Sequence, residues 1–324
     1  MPKAIRVHRH GGPEVLSWED VVVGDPGPGE IRVRHTFIGL NFADTYHRTG
    51  FYKLAVPFVP GSEAAGVIEA VGAGVSDLRA GDRIAYATGP VGAYAEVRLL
   101  PAERAIPLPP GIDDRTAAAM MLKGLTAQYL LRQTTTLAPG DTILFHAAAG
   151  GVGSIATQWA KHLGVTVIGT TGSEEKARLA RAHGCDHVIL YRTEDVAARV
   201  REITGGRGVR VVYDAVGKDS FAASLDCLSP RGLMVPFGQA SGPVPPLEIL
   251  TLMAKGSLFL TRPTLAHYAA TRESLRAAAT ELFGVVTTGA VKIEVPQTFP
   301  LREAAAAHTA LESRQTTGST VLVP

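Results

Sequence analysis

The sequence predicts an α/β chain of two domains, one β-rich and one a doubly wound parallel sheet. Three observations carry that expectation. With 324 residues, 46% of them hydrophobic and only 19% charged, the chain can bury a large core and exceeds one typical domain. Up to about Leu122 it runs as short β-rich segments broken by Gly and Pro. After that point strands alternate with helices.

In the first part, IRVRHTFIGL, AAGVIEAVG, DRIAYAT and AYAEVRLL read as strands, separated by the turn-forming stretches GDPGPGE, VPFVPGSE and GVSDLRAGD. This is the pattern of a barrel or a sandwich. A helical stretch, TAAAMMLKGLTAQYLLRQ, follows. Six strands come next: TILFHAA, TVIGTT, HVILY, VRVVYDAV, GLMVPFG and GSLFLTR. The helical segments VGSIATQWAKHLG, EEKARLARAHG, VAARVREIT, SFAASLDCL and PLEILTLMA lie between them, and six strands are the full doubly wound number. Beyond Pro263 the chain returns to helix and irregular structure and ends in STVLVP, a short strand without helical company.

Composition narrows the partners. The 32 basic and 30 acidic residues give a net charge of +2 without long runs, which leaves no electrostatic case for nucleic acid or an anionic membrane as main partner. A small molecule is expected instead. Cys185 and Cys227 are too few for a disulfide framework and read as buried free thiols, in keeping with a reducing cytosol. The start MPKAIRVHRHGG has no apolar signal core, and no run reaches the roughly 18 to 20 residues that span a bilayer. A soluble, unprocessed cytoplasmic protein is the expectation.

The run HAAAGGVGS follows the strand TILFHAA and opens a helix, the context a dinucleotide fingerprint requires. Ala148 stands where the first glycine is usual, so the motif reads A-x-G-G-V-G through Gly150, Gly151, Val152 and Gly153. Gly150 lets the backbone approach a pyrophosphate, Gly153 lets helix and strand pack closely, and the helix start offers N–H groups and positive dipole. Roughly twenty residues beyond the first glycine position, an NAD site places an acid on the ribose hydroxyls. Here the second strand ends in Thr170, Thr171, Gly172 and Ser173, with Glu174 and Glu175 only in the next helix and Lys176 one turn in. A hydroxyl, backbone N–H groups and a cation favour a 2′-phosphate, hence NADPH. Tyr191 and Arg192, ending the next strand, share that rim and are placed to flank the adenine and its phosphate.

GLNFADTYHRTG, PGSEAAGVIEAVGAGV, AGDRIAY, LKGLTAQYLL, HAAAGGVG, VVYDAVG and KGSLFLTRP together resemble the quinone oxidoreductase (zeta-crystallin-like) branch of the medium-chain dehydrogenase/reductase superfamily. The match runs over essentially the whole chain. The resemblance implies a GroES-like barrel for substrate, residues 1–124 and 263–324, into which the tail returns, and a Rossmann domain for NADPH, residues 125–262. The active site is then expected in the cleft between them. Zinc alcohol dehydrogenases of the same superfamily hold catalytic zinc through Cys, His and Cys, whereas the matching positions here are Asn41, Ser62 and Leu122. None supplies a thiolate or imidazole, the structural-zinc cysteines are absent, and the ten histidines are scattered, so no metal is expected.

The resemblance also distributes roles. Asn41 takes the vacated ligand position and is expected to face the nicotinamide ribose, Tyr46 and Tyr52 to line the cleft, and Lys123 and Thr126 to touch cofactor at the domain junction. For Asp44 we prefer a helix cap. Val216, Phe237, Gln239, Thr261 and Arg262 close strands of the parallel sheet, where ligands of open α/β sheets bind; Arg262 counts with Asn41, Tyr46 and Tyr52 on the acceptor side. Arg314 is implied to fold back to the 2′-phosphate. Without metal, flavin motif or a Ser-x-x-x-Tyr-x-x-x-Lys set, the acceptor must bring its own electrophilicity, as a quinone or other conjugated carbonyl does. Tyr46 is the candidate hydrogen-bond donor to it. Reduction of an enone or enal C=C bond is the second reading, and a crystallin-like structural role or RNA binding the non-enzymatic one. A homodimer through the edge strand GSLFLTR is the expected assembly.

Overall fold

Period-two alternation governs the N-terminal strands of the computed structural model, which describes residues 1–324. Strands β1 (Lys3–Val7) and β2 (Leu16–Asp20) pair antiparallel. In β3 (Glu30–Leu40) Ile31 and Val33 turn into the core while Arg32 and Arg34 turn out. Both arginines hold Glu69 of β4 (Glu63–Val71), at 2.9 and 2.6 Å. Helix α1 (Phe42–Thr49) follows β3 after the single residue Asn41 and stops at Gly50, whose φ of 79° is the left-handed conformation that ends helices. Then come β5 (Arg83–Tyr86), β6 (Val97–Pro101), β7 (Ile106–Pro107) and the helix α2 (Asp114–Arg132).

The alternation of strand and helix then sets in. Strands β8 (Thr142–Phe145), β9 (Thr166–Thr171), β10 (His187–Leu190), β11 (Val209–Asp214), β12 (Leu228–Pro236) and β13 (Phe259–Leu260) form one parallel sheet in the order β10-β9-β8-β11-β12-β13. That is the doubly wound order 3-2-1-4-5-6, and it contains the six strands counted from the sequence. Helices α3 (Gly151–His162), α4 (Glu174–Ala182), α5 (Val196–Ile203), α6 (Phe221–Cys227), α7 (Leu250–Ala254) and α8 (Leu265–Tyr268) accompany it. Leu144, Ile168, Ile189, Val212 and Met234 share one core with Val200, Phe221 and Leu225 of the helices.

Helix α9 (Arg272–Thr287), strand β14 (Gln297–Pro300), helix α10 (Ala304–Glu312) and strand β15 (Thr320–Val323) complete the chain. The terminal strand rejoins the first sheet, whose order is β14-β15-β3-β4-β5-β7 with β6 paired to β3. Two units result: residues 1–125, 269–287 and 293–324 in one, and 126–268 with 288–292 in the other. Residues 263–268 thus lie with the parallel sheet, where Tyr268 stacks on Tyr129 at 4.7 Å. No helix is long and apolar enough to cross a membrane.

Candidate active site

The turn from β8 to α3 is built for an anion. Gly150 caps the helix, and the first bond into its turn runs from Ser154 N–H to Gly150 O, so the N–H groups of Gly151, Val152 and Gly153 precede the intrahelical ladder. A Cβ on Gly153 would press on the carbonyl oxygens of Ala147 and Ala148, 2.7 Å from the latter, so only glycine allows this helix to pack on the turn. The left-handed residue is Ala147, with φ 54°, not the position where the fingerprint's first glycine is usual. Ala148 is fully buried and its N–H goes to Thr170 O, so it contributes compactness to the turn rather than a donor.

At the end of β9, Tyr191 and Arg192 approach Gly172. The Tyr191 hydroxyl would lie 2.6 Å from a Cβ on Gly172, and Arg192 Nε 3.4 Å, so both side chains close over this glycine. Ser173 caps α4, its Oγ accepting Lys176 N–H at 3.3 Å and keeping its own hydrogen to donate. Lys176 is half-buried one turn into that helix, and Glu174 and Glu175 are exposed. Neutral and cationic donors ring this rim.

The end of β11 is held, together with those of β8 and β9, by a buried polar network. Asp214 accepts the N–H groups of Val216 and Gly217 at 2.7 and 3.2 Å and the Ser220 hydroxyl. Ser224 joins it to His146 (2.9 Å), whose other ring nitrogen meets Thr170 Oγ1 at 3.0 Å. Burial lowers the pKa of His146 and so keeps it neutral, although the Asp214 charge pulls the other way. Gln239 packs on Gly217, Phe237 lies 5.8 Å from Phe145, and Thr261 N–H bonds Met234 O. Gln239 and Arg262 line one cavity of about 330 Å³ together with Phe221, Val244, Leu247 and Leu260. Thr126, buried, lies in α2.

In the other unit the center is Glu63, a residue the sequence reading passed over. Its carboxylate is fully buried and takes Asn41 Nδ2 at 2.7 Å, Lys123 Nζ at 3.1 Å and Leu122 N–H at 2.7 Å. The amide nitrogen of Asn41 is therefore directed at Glu63 and Gly39 O. Asp44 does cap α1, accepting Asn41 N–H at 2.9 Å. Tyr46 meets Tyr52 edge-on at 5.1 Å, and Phe42 and Phe51 each lie 5.5 Å from Tyr46, giving a wall of four rings. Arg314 follows α10 at φ 60° and is exposed. The signal for Glu63 was in GSE: an acid at the head of an apolar strand has to be buried with partners.

Around Asn41, Ser62 and Leu122 no three His, Cys, Asp or Glu side chains converge as a metal site requires, and none do elsewhere. A doubly wound sheet with a glycine turn and an antiparallel sheet closed by the C-terminal strand define a medium-chain dehydrogenase/reductase. Family models agree: residues 27–110 match the alcohol dehydrogenase GroES-like domain, and residues 151–283 match the zinc-binding dehydrogenase model. A quinone oxidoreductase of Pseudomonas aeruginosa is 58% identical over 100% of both chains, and a 2-haloacrylate reductase of Burkholderia is 52% identical over 100% of this chain and 99% of its own. The chain belongs to the quinone oxidoreductase family. The solved Escherichia coli quinone oxidoreductase, complexed with NADPH, superposes with a TM-score of 0.98 at 50% identity, covering 99% of this chain and 100% of that one.

Glu63 generates a direct test. Glu63→Ala strands the Lys123 ammonium and is expected to lower unfolding free energy by about 3 to 5 kcal/mol. Adding Lys123→Met should restore much of that in urea denaturation. An unchanged midpoint for Glu63→Ala contradicts the assignment.

Proposed function

We propose that this chain is a metal-independent, cytoplasmic NADPH:quinone oxidoreductase that works as a homodimer. The observation that carries the cofactor choice is the end of β9, where Tyr191 and Arg192 lie over Gly172, Ser173 presents a capping hydroxyl and Lys176 follows one turn into α4. NADPH, when bound, supplies the hydride. The chain's own groups bind and orient: the first N–H groups of α3 receive the pyrophosphate, and Ser173 and Lys176 receive the 2′-phosphate. Val216, Phe237 and Gln239 border the nicotinamide side. Family membership and the names of the relatives support the acceptor assignment.

On the acceptor side the rings of Tyr46 and Tyr52, set edge to face, offer an apolar wall with hydroxyl ends against which a planar quinone can lie. Tyr46 donates a hydrogen bond to the acceptor oxygen, Asn41 is held in place by Glu63, and Arg262 adds a cation at the β13 end. Quinone reduction yields an aromatic product, so orientation supplies much of the catalysis. The resemblance to a 2-haloacrylate reductase favors reduction of an activated C=C bond as the second reading.

Three outcomes follow. Lys176→Ala should raise the NADPH Michaelis constant roughly tenfold or more while leaving the NADH constant nearly unchanged; equal losses with both remove the phosphate assignment. In steady-state turnover, unsubstituted or ortho-quinones should outrun an enal or a saturated ketone of similar size, and Tyr46→Phe should cost quinones about tenfold and enones more; good turnover of enals with none of quinones moves the reading to C=C reduction. The edge strand β13 leaves Phe259 and Leu260 exposed beside Ile249, Leu250 and Met253, an apolar edge able to pair with its own copy. Sedimentation should give a dimer that Leu260→Glu dissociates, and a monomer at micromolar concentration contradicts it.

A further inference from the structure

Asp44 is a buried carboxylate that the reaction described so far does not use. It is fully buried on the first turn of α1; Oδ2 accepts Asn41 N–H at 2.9 Å and the Tyr94 hydroxyl at 3.0 Å, while Oδ1 has no partner. The Tyr94 hydroxyl also lies 3.0 Å from His308 Nε2, and His308 Nδ1 lies 3.0 Å from Arg48 Nη1. Arg48, only 1% exposed, is gripped by Glu312 of α10 through bonds of 2.9 and 2.7 Å and gives Nε to Gly11 O. A guanidinium only donates, so His308 Nδ1 must accept and its proton sits on Nε2. That leaves the hydrogen of Tyr94 for Asp44. Every hydrogen in the chain points from Arg48 toward Asp44.

Stability does not account for a carboxylate at that end. The groups facing Asp44 are Tyr94 from the segment before β6, Glu63 from β4 and Lys123 from α2, with Arg48 of α1 and His308 of α10 beyond the tyrosine. Lys123 is paired with Glu63, and Arg48 with Glu312, so the Asp44 charge has no counter-ion of its own. Burial pushes its pKa up to about 7, against the pull of Asn41 N–H, Tyr94 O–H and the Lys123 charge. An acid whose folded pKa is raised binds its proton more tightly in the folded state. Its carboxylate form therefore costs stability above pH 7, and the penalty fades as pH falls toward the ordinary carboxylate range.

We propose that Asp44, as a carboxylate, is a positioning residue for the acceptor site: it fixes the Asn41–Tyr46 turn of α1 to helix α10 through Tyr94, His308 and Arg48, and protonation loosens that turn. The inference rests on the reading of Asn41 and Tyr46 as acceptor-side residues. Asp44 touches no substrate in this account; its negative charge strengthens two hydrogen bonds that set the start of α1.

The test combines turnover with a readout that needs none. In the full-length protein at saturating NADPH, kcat/KM for a quinone should fall below an acid limb near pH 7, and protection of the 41–46 amides against hydrogen exchange, relative to intrinsic rates, should fall severalfold through the same limb. Asp44→Asn should abolish both limbs and lower kcat/KM at alkaline pH severalfold, with an unchanged or higher melting temperature. Tyr94→Phe removes one donor to the carboxylate and should move the limb up by about half to one pH unit. A limb that persists in Asp44→Asn, or that stays in place in Tyr94→Phe, overturns the proposal. If quinones are not turned over yet the amide protection still titrates with Asp44, the acceptor reading fails and the positioning role stands.

Discussion

A carboxylate shut away from water has to be answered by donors, and the geometry of the first unit depends on how Glu63 is answered. Its two oxygens collect a side-chain amide from the β3–α1 junction, an ammonium from α2 and a backbone N–H from the same helix. Removing any one leaves the others facing a buried charge, at a cost comparable to a large part of a domain's net stability. The start of α1 is thereby clamped from one side by Glu63 and from the other by Asp44. Tyr46 and its neighboring rings ride on that clamped turn.

The second unit solves a related problem with backbone. The β8–α3 turn leaves N–H groups outside the helical ladder because small residues let the chain close tightly, which is what the proposed dinucleotide site requires. Asp214 is kept from this surface by donating groups of its own turn, Val216, Gly217 and Ser220, and through Ser224 it is tied to His146 and Thr170. The same buried network thus orders the ends of β8, β9 and β11 together.

What the sequence displayed and what it hid follow the range of the interactions. The six parallel strands, the glycine turn and the acid-free end of β9 are local patterns, readable from neighboring residues. The clusters around Glu63 and Asp44 are not local: Glu63 and Lys123 lie 60 residues apart and Arg48 and His308 lie 260 apart, joined only by the antiparallel sheet and the returning tail. Strands β1, β2 and β14 were also missed. β2 is half-buried along most of its length and β14 is only four residues, QTFP, ending in proline, so neither sequence shows the long apolar alternation that marks β3. Asn41 was singled out by resemblance alone, and its partner Glu63, 22 residues on, was not legible beside it.

In the function proposed above this medium-chain reductase fold works without a metal, since Asn41, Ser62 and Leu122 offer no thiolate or imidazole. A single-turnover measurement tests it most directly: protein preloaded with NADPH is mixed with a quinone before and after exhaustive chelation. The account predicts the same rate constant for loss of NADPH in both samples and no gain on adding zinc. A rate that collapses on chelation and returns with zinc contradicts it.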